Sequence, residues 1–137
     1  MQALTPGLGA SAKENDMDVQ RTIDYYARLT DDDLCQCATC RNYMLRIKAA
    51  YPQVAEYLQT MGIDIEKPFE AMPLPPHPAG TIEYSGVQYI VMGTDAGFEP
   101  SAVGGVNIEM AESYPYTDID EDHFVIELSP ITLKWEA

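Results

Sequence analysis

The hydrophobic period of this chain changes at one place, and that change limits the folds open to it. Residues 72–80, M-P-L-P-P-H-P-A-G, hold four prolines in nine positions. Proline lacks the amide donor that a helix interior or a strand ladder needs, so the stretch reads as a semi-rigid connector without regular structure. Before it, Cys40, Met44, Ile47, Tyr51, Val54, Leu58 and Met61 recur at three- and four-residue steps. That is the stripe of an amphipathic helical segment over about residues 39–61. Pro52 interrupts the stripe, which predicts a kink or two helices with Pro52 in the first turn of the second, and Gly62 supplies a left-handed stop.

After the connector the period is two. Ile82 and Tyr84, then Val87, Tyr89 and Val91, then Val106, Ile108 and Met110, then Phe124, Ile126 and Leu128, then Ile131, Leu133 and Trp135 alternate with polar or smaller residues. Helices first and strands after predict an α+β fold, the helical segment packed on a mainly antiparallel sheet. Ser85-Gly86 is either a hairpin turn or a bulge within one long strand, and Gly104-Gly105 and Pro130 mark further breaks. Residues 1–18 lack a hydrophobic period and read as a tail or arm, which leaves 19–137 as one α+β domain. Residues 19–29 are ambiguous. Ile23, Tyr25, Ala27 and Leu29 alternate as on a strand, while Ile23, Tyr26 and Ala27 also suit a helix; the aromatic and β-branched content favours the strand.

The formal charge is −14, and it is unevenly placed. Seven basic and eleven acidic side chains lie in residues 1–70, whereas Lys134 alone stands against eleven acidic ones in residues 71–137. Such a surface argues against binding nucleic-acid phosphates or anionic lipid, both of which need basic residues. It suits either plain solubility or a face that steers a basic protein partner. No run approaches the roughly 18 apolar residues of a membrane-spanning helix. Pro6, Gly7 and Gly9 break what would have to be the apolar core of a signal peptide, so a cytoplasmic protein is expected.

The chemistry concentrates in Cys35-Gln36-Cys37-Ala38-Thr39-Cys40, which holds all three cysteines. A secreted disulfide framework would spread an even number along the chain, so this crowding points to reduced thiols. Zinc takes four tetrahedral ligands and binds thiolate well. Cys35, Cys37 and Cys40 at a helix start are therefore candidate metal ligands, with His77 or His123 as the fourth and Asp33 or a water as alternatives. Two other readings stay open: a Cys37-x-x-Cys40 dithiol for redox or copper(I) chemistry, and thiols that simply pack.

The runs L-C-Q-C-A-T-C-R-N-Y, Y-P-Q-V-A-E-Y-L-Q-T-M-G-I-D, V-Q-Y-I-V-M-G and D-E-D-H-F-V-I-E resemble a family of small bacterial proteins with a Cys-x-Cys-x-x-Cys-x-Asn-Tyr signature. The likeness runs from about residue 34 to the C-terminus. It implies a bacterial cytoplasmic origin and carries neither an activity nor a metal assignment.

Other motifs fail on inspection. Asp118-x-Asp120-x-Asp122 opens like a calcium loop, but His123 stands where that loop needs glycine and Ser129 where it needs a bidentate glutamate. Gly7-x-Gly9-x-x-Ala12 has no strand before it and is not a dinucleotide fingerprint. No phosphate loop, G-x-S-x-G elbow or H-E-x-x-H is present. Nine of the thirteen aromatic residues are tyrosines, a residue useful at interfaces and at the rim of a thin core. Three readings of function follow. The first is a non-enzymatic binding or scaffold protein with a structural zinc, self-associating as a homo-oligomer. The second is a metal- or thiol-dependent enzyme centred on the cysteines, and the third an acidic inhibitor-like protein that masks a basic partner.

Overall fold

A computed structural model describes residues 16–135. Three helices, α1 (Val19–Arg28), α2 (Ala38–Ala50) and α3 (Pro52–Thr60), precede six strands: β1 (Glu70–Pro73), β2 (Thr81–Met92), β3 (Ser101–Val103), β4 (Val106–Met110), β5 (His123–Ser129) and β6 (Ile131–Lys134). The strands form one antiparallel sheet in the order β1-β2-β5-β4-β3, with β6 also paired to β2. The expected α+β architecture is present. The arm expected over residues 1–18 lies outside the described residues, except for 16–18.

Pro52 divides the amphipathic stripe into two helices and opens the second, because its missing N–H falls where a helix start has no partner for one. Gly62 ends the pair at φ +86°, where an added Cβ would lie 2.6 Å from the Val19 carbonyl oxygen. The stripe is buried from Ile47 through Val54, Leu58 and Met61, and Tyr43, which lies off it, is also fully buried.

β2 is the spine of the sheet. Residues 87–92 pair with β5 and residues 81–84 with β6, so β5 and β6 run end to end along one edge of β2 and break at Ser129-Pro130. Opposite that break, Gly86 pairs with Met72 and Tyr84 with Pro73, which leaves Ser85 as the extra residue of a bulge. A one-residue slip turns every later side chain to the other face. Both long edges slip at the same level, so Ile82, Tyr84, Val87, Tyr89 and Val91 all reach the same core as Ile126, Leu128, Ile131 and Leu133. The Ser85-Gly86 bulge and the Gly104-Gly105 turn answer the sequence-based expectation.

Two expectations need correction. Residues 19–29 form a helix rather than a strand. Asp18 caps it by accepting from the Arg21 N–H at 3.0 Å, and the Lys67 ammonium donates to the carbonyls of Tyr26 and Leu29 at its other end. What selects the helix is the unpaired edge of β2 beyond β1. Tyr26 donates its hydroxyl to the Ile90 carbonyl at 2.8 Å and accepts from the Ile90 N–H at 3.0 Å. One turn earlier Thr22 accepts from the Met92 N–H, and the Asp18 N–H donates to the Met92 carbonyl. Four helical residues advance about 6 Å and two strand residues about 6.7 Å, so positions 22 and 26 meet 92 and 90 in step. The second correction concerns the connector: its first two residues, Met72 and Pro73, belong to β1, and the Leu74 N–H still donates to the Glu83 carbonyl at 2.8 Å. Pro73 is tolerated there because β1 is an edge strand.

A smaller apolar cluster, Ile90, Met92 and Val125 with Phe69, Ala111 and Ile119 against it, covers part of the opposite face of the sheet. Gln88 is buried beside it and donates to the Ser113 carbonyl and to Glu127. No helix among the described residues is long and apolar enough to cross a membrane.

Candidate metal centre

The connection from α1 to α2 is short and held from within. Thr30 and Asp33 form a capping box around the single turn Asp31–Asp33, and the Gln36 side-chain amide donates back to the Asp31 carbonyl at 3.1 Å. The chain then enters α2 with Cys37 at its N-cap in extended conformation. A hydrogen bond of 2.6 Å from the Tyr84 hydroxyl to the Thr39 carbonyl ties the first turn of α2 to β2. Asn42, one turn on, donates to the Lys134 carbonyl in β6. The helix start is therefore fixed on the sheet independently of anything the cysteines do.

On this platform the sulfurs of Cys35, Cys37 and Cys40 all lie within 4.8 Å of one another. Cys35 Sγ donates to Cys37 Sγ at 3.3 Å, and the Thr39 hydroxyl lies 3.3 Å from Cys37 Sγ. Cys35 and Cys37 are exposed, whereas Cys40 is half-buried, and all three are free thiols. Cys40 and Cys35 border a small cleft whose other walls include Leu34, Met44, Phe69 and Glu70.

The surroundings push two of these thiols in opposite directions. The Thr39 hydroxyl, the backbone N–H of Cys40 and the Cys35 thiol all favour a thiolate at Cys37, and hold its pKa at about 6. Burial drives the Cys40 thiol the other way, with the two neighbouring cysteines adding to the rise.

The donor set fits a thiophilic ion. Tetrahedral zinc with bonds of about 2.3 Å sets its sulfurs about 3.8 Å apart, so the observed spread closes onto one ion with side-chain shifts on the order of 1 Å. No His, Asp or Glu of the described residues joins the three sulfurs within that 4.8 Å group. His77 lies in the hairpin between β1 and β2, where its Nδ1 accepts from the Ala79 N–H at 3.0 Å. His123 begins β5 with both ring nitrogens engaged, Nε2 to the Thr117 hydroxyl at 2.7 Å and Nδ1 to the Glu121 carbonyl at 2.8 Å. Asp33 is committed to the capping box with Thr30. The sequence pattern missed Tyr84, whose hydroxyl positions the cysteine-bearing turn. In the sequence Tyr84 carries no signal beyond its inward place in an alternating strand.

No family model, curated protein or solved structure matches the chain.

Proposed function

We propose that this chain is a non-enzymatic zinc-binding protein of the cytoplasm, in which Cys35, Cys37 and Cys40 hold the metal as thiolates. The convergence of three sulfurs within 4.8 Å at the exposed start of α2 carries the reading. Zinc bound there keeps its fourth position for a water or for a donor brought by a partner. A binding role is supported by the donor set: among the described residues the 4.8 Å group consists of the three sulfurs and includes no histidine or carboxylate. The acidic surface gives such a role its direction, towards basic partners.

The test is zinc stoichiometry by competition with a chromophoric chelator. One zinc per chain is expected, with Cys37→Ser abolishing it while the far-UV circular dichroism stays that of the unsubstituted protein. Zinc binding that survives Cys37→Ser and Cys40→Ser unchanged would overturn the assignment.

A further inference from the structure

The sulfurs that converge on a metal also converge on one another, and the pair that is most open to solvent is already in contact. Cys35 Sγ and Cys37 Sγ stand 3.3 Å apart and both residues are exposed, while Cys40 is drawn back against Leu34, Met44 and Phe69. A disulfide requires about 2.05 Å, so closure needs little more than 1 Å of approach. Cys35 lies outside any helix and Cys37 is the cap residue, so the approach falls on side-chain rotations ahead of α2 and breaks no helical hydrogen bond.

We infer that Cys35 and Cys37 form a reversible disulfide driven by hydrogen peroxide, and that its closure removes two of the three donors from the metal. The second half rests on the zinc reading above; the first half does not. In the first step the Cys37 sulfur attacks one peroxide oxygen, the O–O bond breaks, and a sulfenic acid and one water result. In the second, the Cys35 sulfur attacks the Cys37 sulfur, the S–S bond forms, and the sulfenic oxygen leaves as a second water with the remaining thiol proton. Two electrons pass from the two thiols to the peroxide. Only Gln36 separates the pair, so the ring is small and strained, and strained disulfides are the readily reduced ones. A dithiol reductant therefore reopens the pair.

The experiment treats the metal-free full chain with stoichiometric hydrogen peroxide, alkylates the remaining thiols and digests with trypsin. Cleavage after Arg28 and Arg41 leaves all three cysteines in one peptide, residues 29–41. The expected peptide has lost two hydrogen masses and carries a single alkyl group on Cys40, and dithiothreitol reverses the change. Cys40→Ser should close the same disulfide at a similar rate, and Cys35→Ser should slow intramolecular closure by about tenfold or more. An alkyl group on Cys35, sulfinic or sulfonic acid in place of a disulfide, or a disulfide between chains would overturn the inference. Repeating the oxidation on zinc-loaded protein, with a colorimetric indicator, should release the zinc in step with the mass loss. If the chain takes up no zinc, the zinc reading fails while the disulfide still stands or falls on the mass alone. Zinc retained on the fully oxidised protein overturns the coupling.

Discussion

Two helix faces of this molecule set polar side chains against the same strand system, and they do so in opposite ways. Along the seam between α1 and β2, Thr22 and Tyr26 place hydroxyls at buried backbone groups of Met92 and Ile90, and every bond there is made. At the start of α2, three sulfurs meet at the surface and bond chiefly to one another and to Thr39. A buried polar group left without a partner costs folding free energy, so the seam is saturated because stability requires it. The exposed cysteines carry no such requirement, since Tyr84 and Asn42 already fix the helix start. Convergent donors that the fold does not need are what a ligand site looks like, and saturated ones are what architecture looks like.

The largest expected effect breaks the seam. Tyr26→Phe strips both the Ile90 N–H and its carbonyl of their partner in a buried place, and should cost about 2–4 kcal/mol. Urea unfolding reads this directly, and a loss below about 0.5 kcal/mol would show that the seam is not what holds α1. Tyr43→Phe should cost less, about 1 kcal/mol. Tyr89 donates to the Ile65 carbonyl and so accepts from Tyr43, and the substitution removes one bond without stranding a backbone group. Burial raises the pKa values of Tyr26, Tyr43 and Tyr89. Their neutral forms therefore contribute stability that is whole below the ordinary tyrosine value near 10 and is lost as the pH climbs above it. Alkaline unfolding followed by tyrosinate absorbance should accordingly be cooperative rather than residue by residue.

The same treatment of the surface cluster should hardly move stability. At pH 5, where the Cys37 thiol is largely protonated, Cys35→Ser and Cys37→Ser in the metal-free chain should each shift the unfolding free energy by less than about 0.5 kcal/mol. A loss as large as that of Tyr26→Phe would make the cysteines architectural and erase the contrast between the two faces.

The contrast can be sharpened by pH. With Cys37 held at about 6, its alkylation rate in the metal-free chain should rise about tenfold between pH 5 and pH 7 and then level off. An ordinary thiol would keep gaining about tenfold per pH unit to beyond pH 8. Because the folded value is depressed, the linked contribution to stability is present above the ordinary value of 9.0 and fades as the pH falls through about 6. A rate still climbing steeply at pH 8 would remove the thiolate from Cys37. The smallest effect is reserved for the histidines. His123→Ala should leave zinc affinity unchanged, since both its ring nitrogens are already engaged.

Much of this fold is legible in the sequence where burial is apolar and periodic. Pro52 and Gly62 delimit α3, and the alternation from Ile82 to Leu133 marks strands whose inward residues are those expected, except Met110, which is exposed at the end of β4. Legibility fails where a polar group does the packing. The inward residues of α1 are Thr22 and Tyr26, so no apolar stripe announces a helix, and the alternation of Ile23, Tyr25, Ala27 and Leu29 falls on its more exposed sides. β1 is hidden for a related reason: an edge strand tolerates the Pro73 that would exclude a central one. At the cysteines the spacing gives the cluster directly, because positions i, i+2 and i+5 around a helix N-cap cannot lie far apart. The fourth donor has no such local constraint, and neither His77 nor His123 joins the three sulfurs.

X-ray absorption at the zinc edge of the zinc-loaded chain tests the central claim most directly. A shell of three sulfurs at about 2.3 Å with one lighter donor is the predicted result. A shell of nitrogen and oxygen alone, near 2.0–2.1 Å, would contradict it.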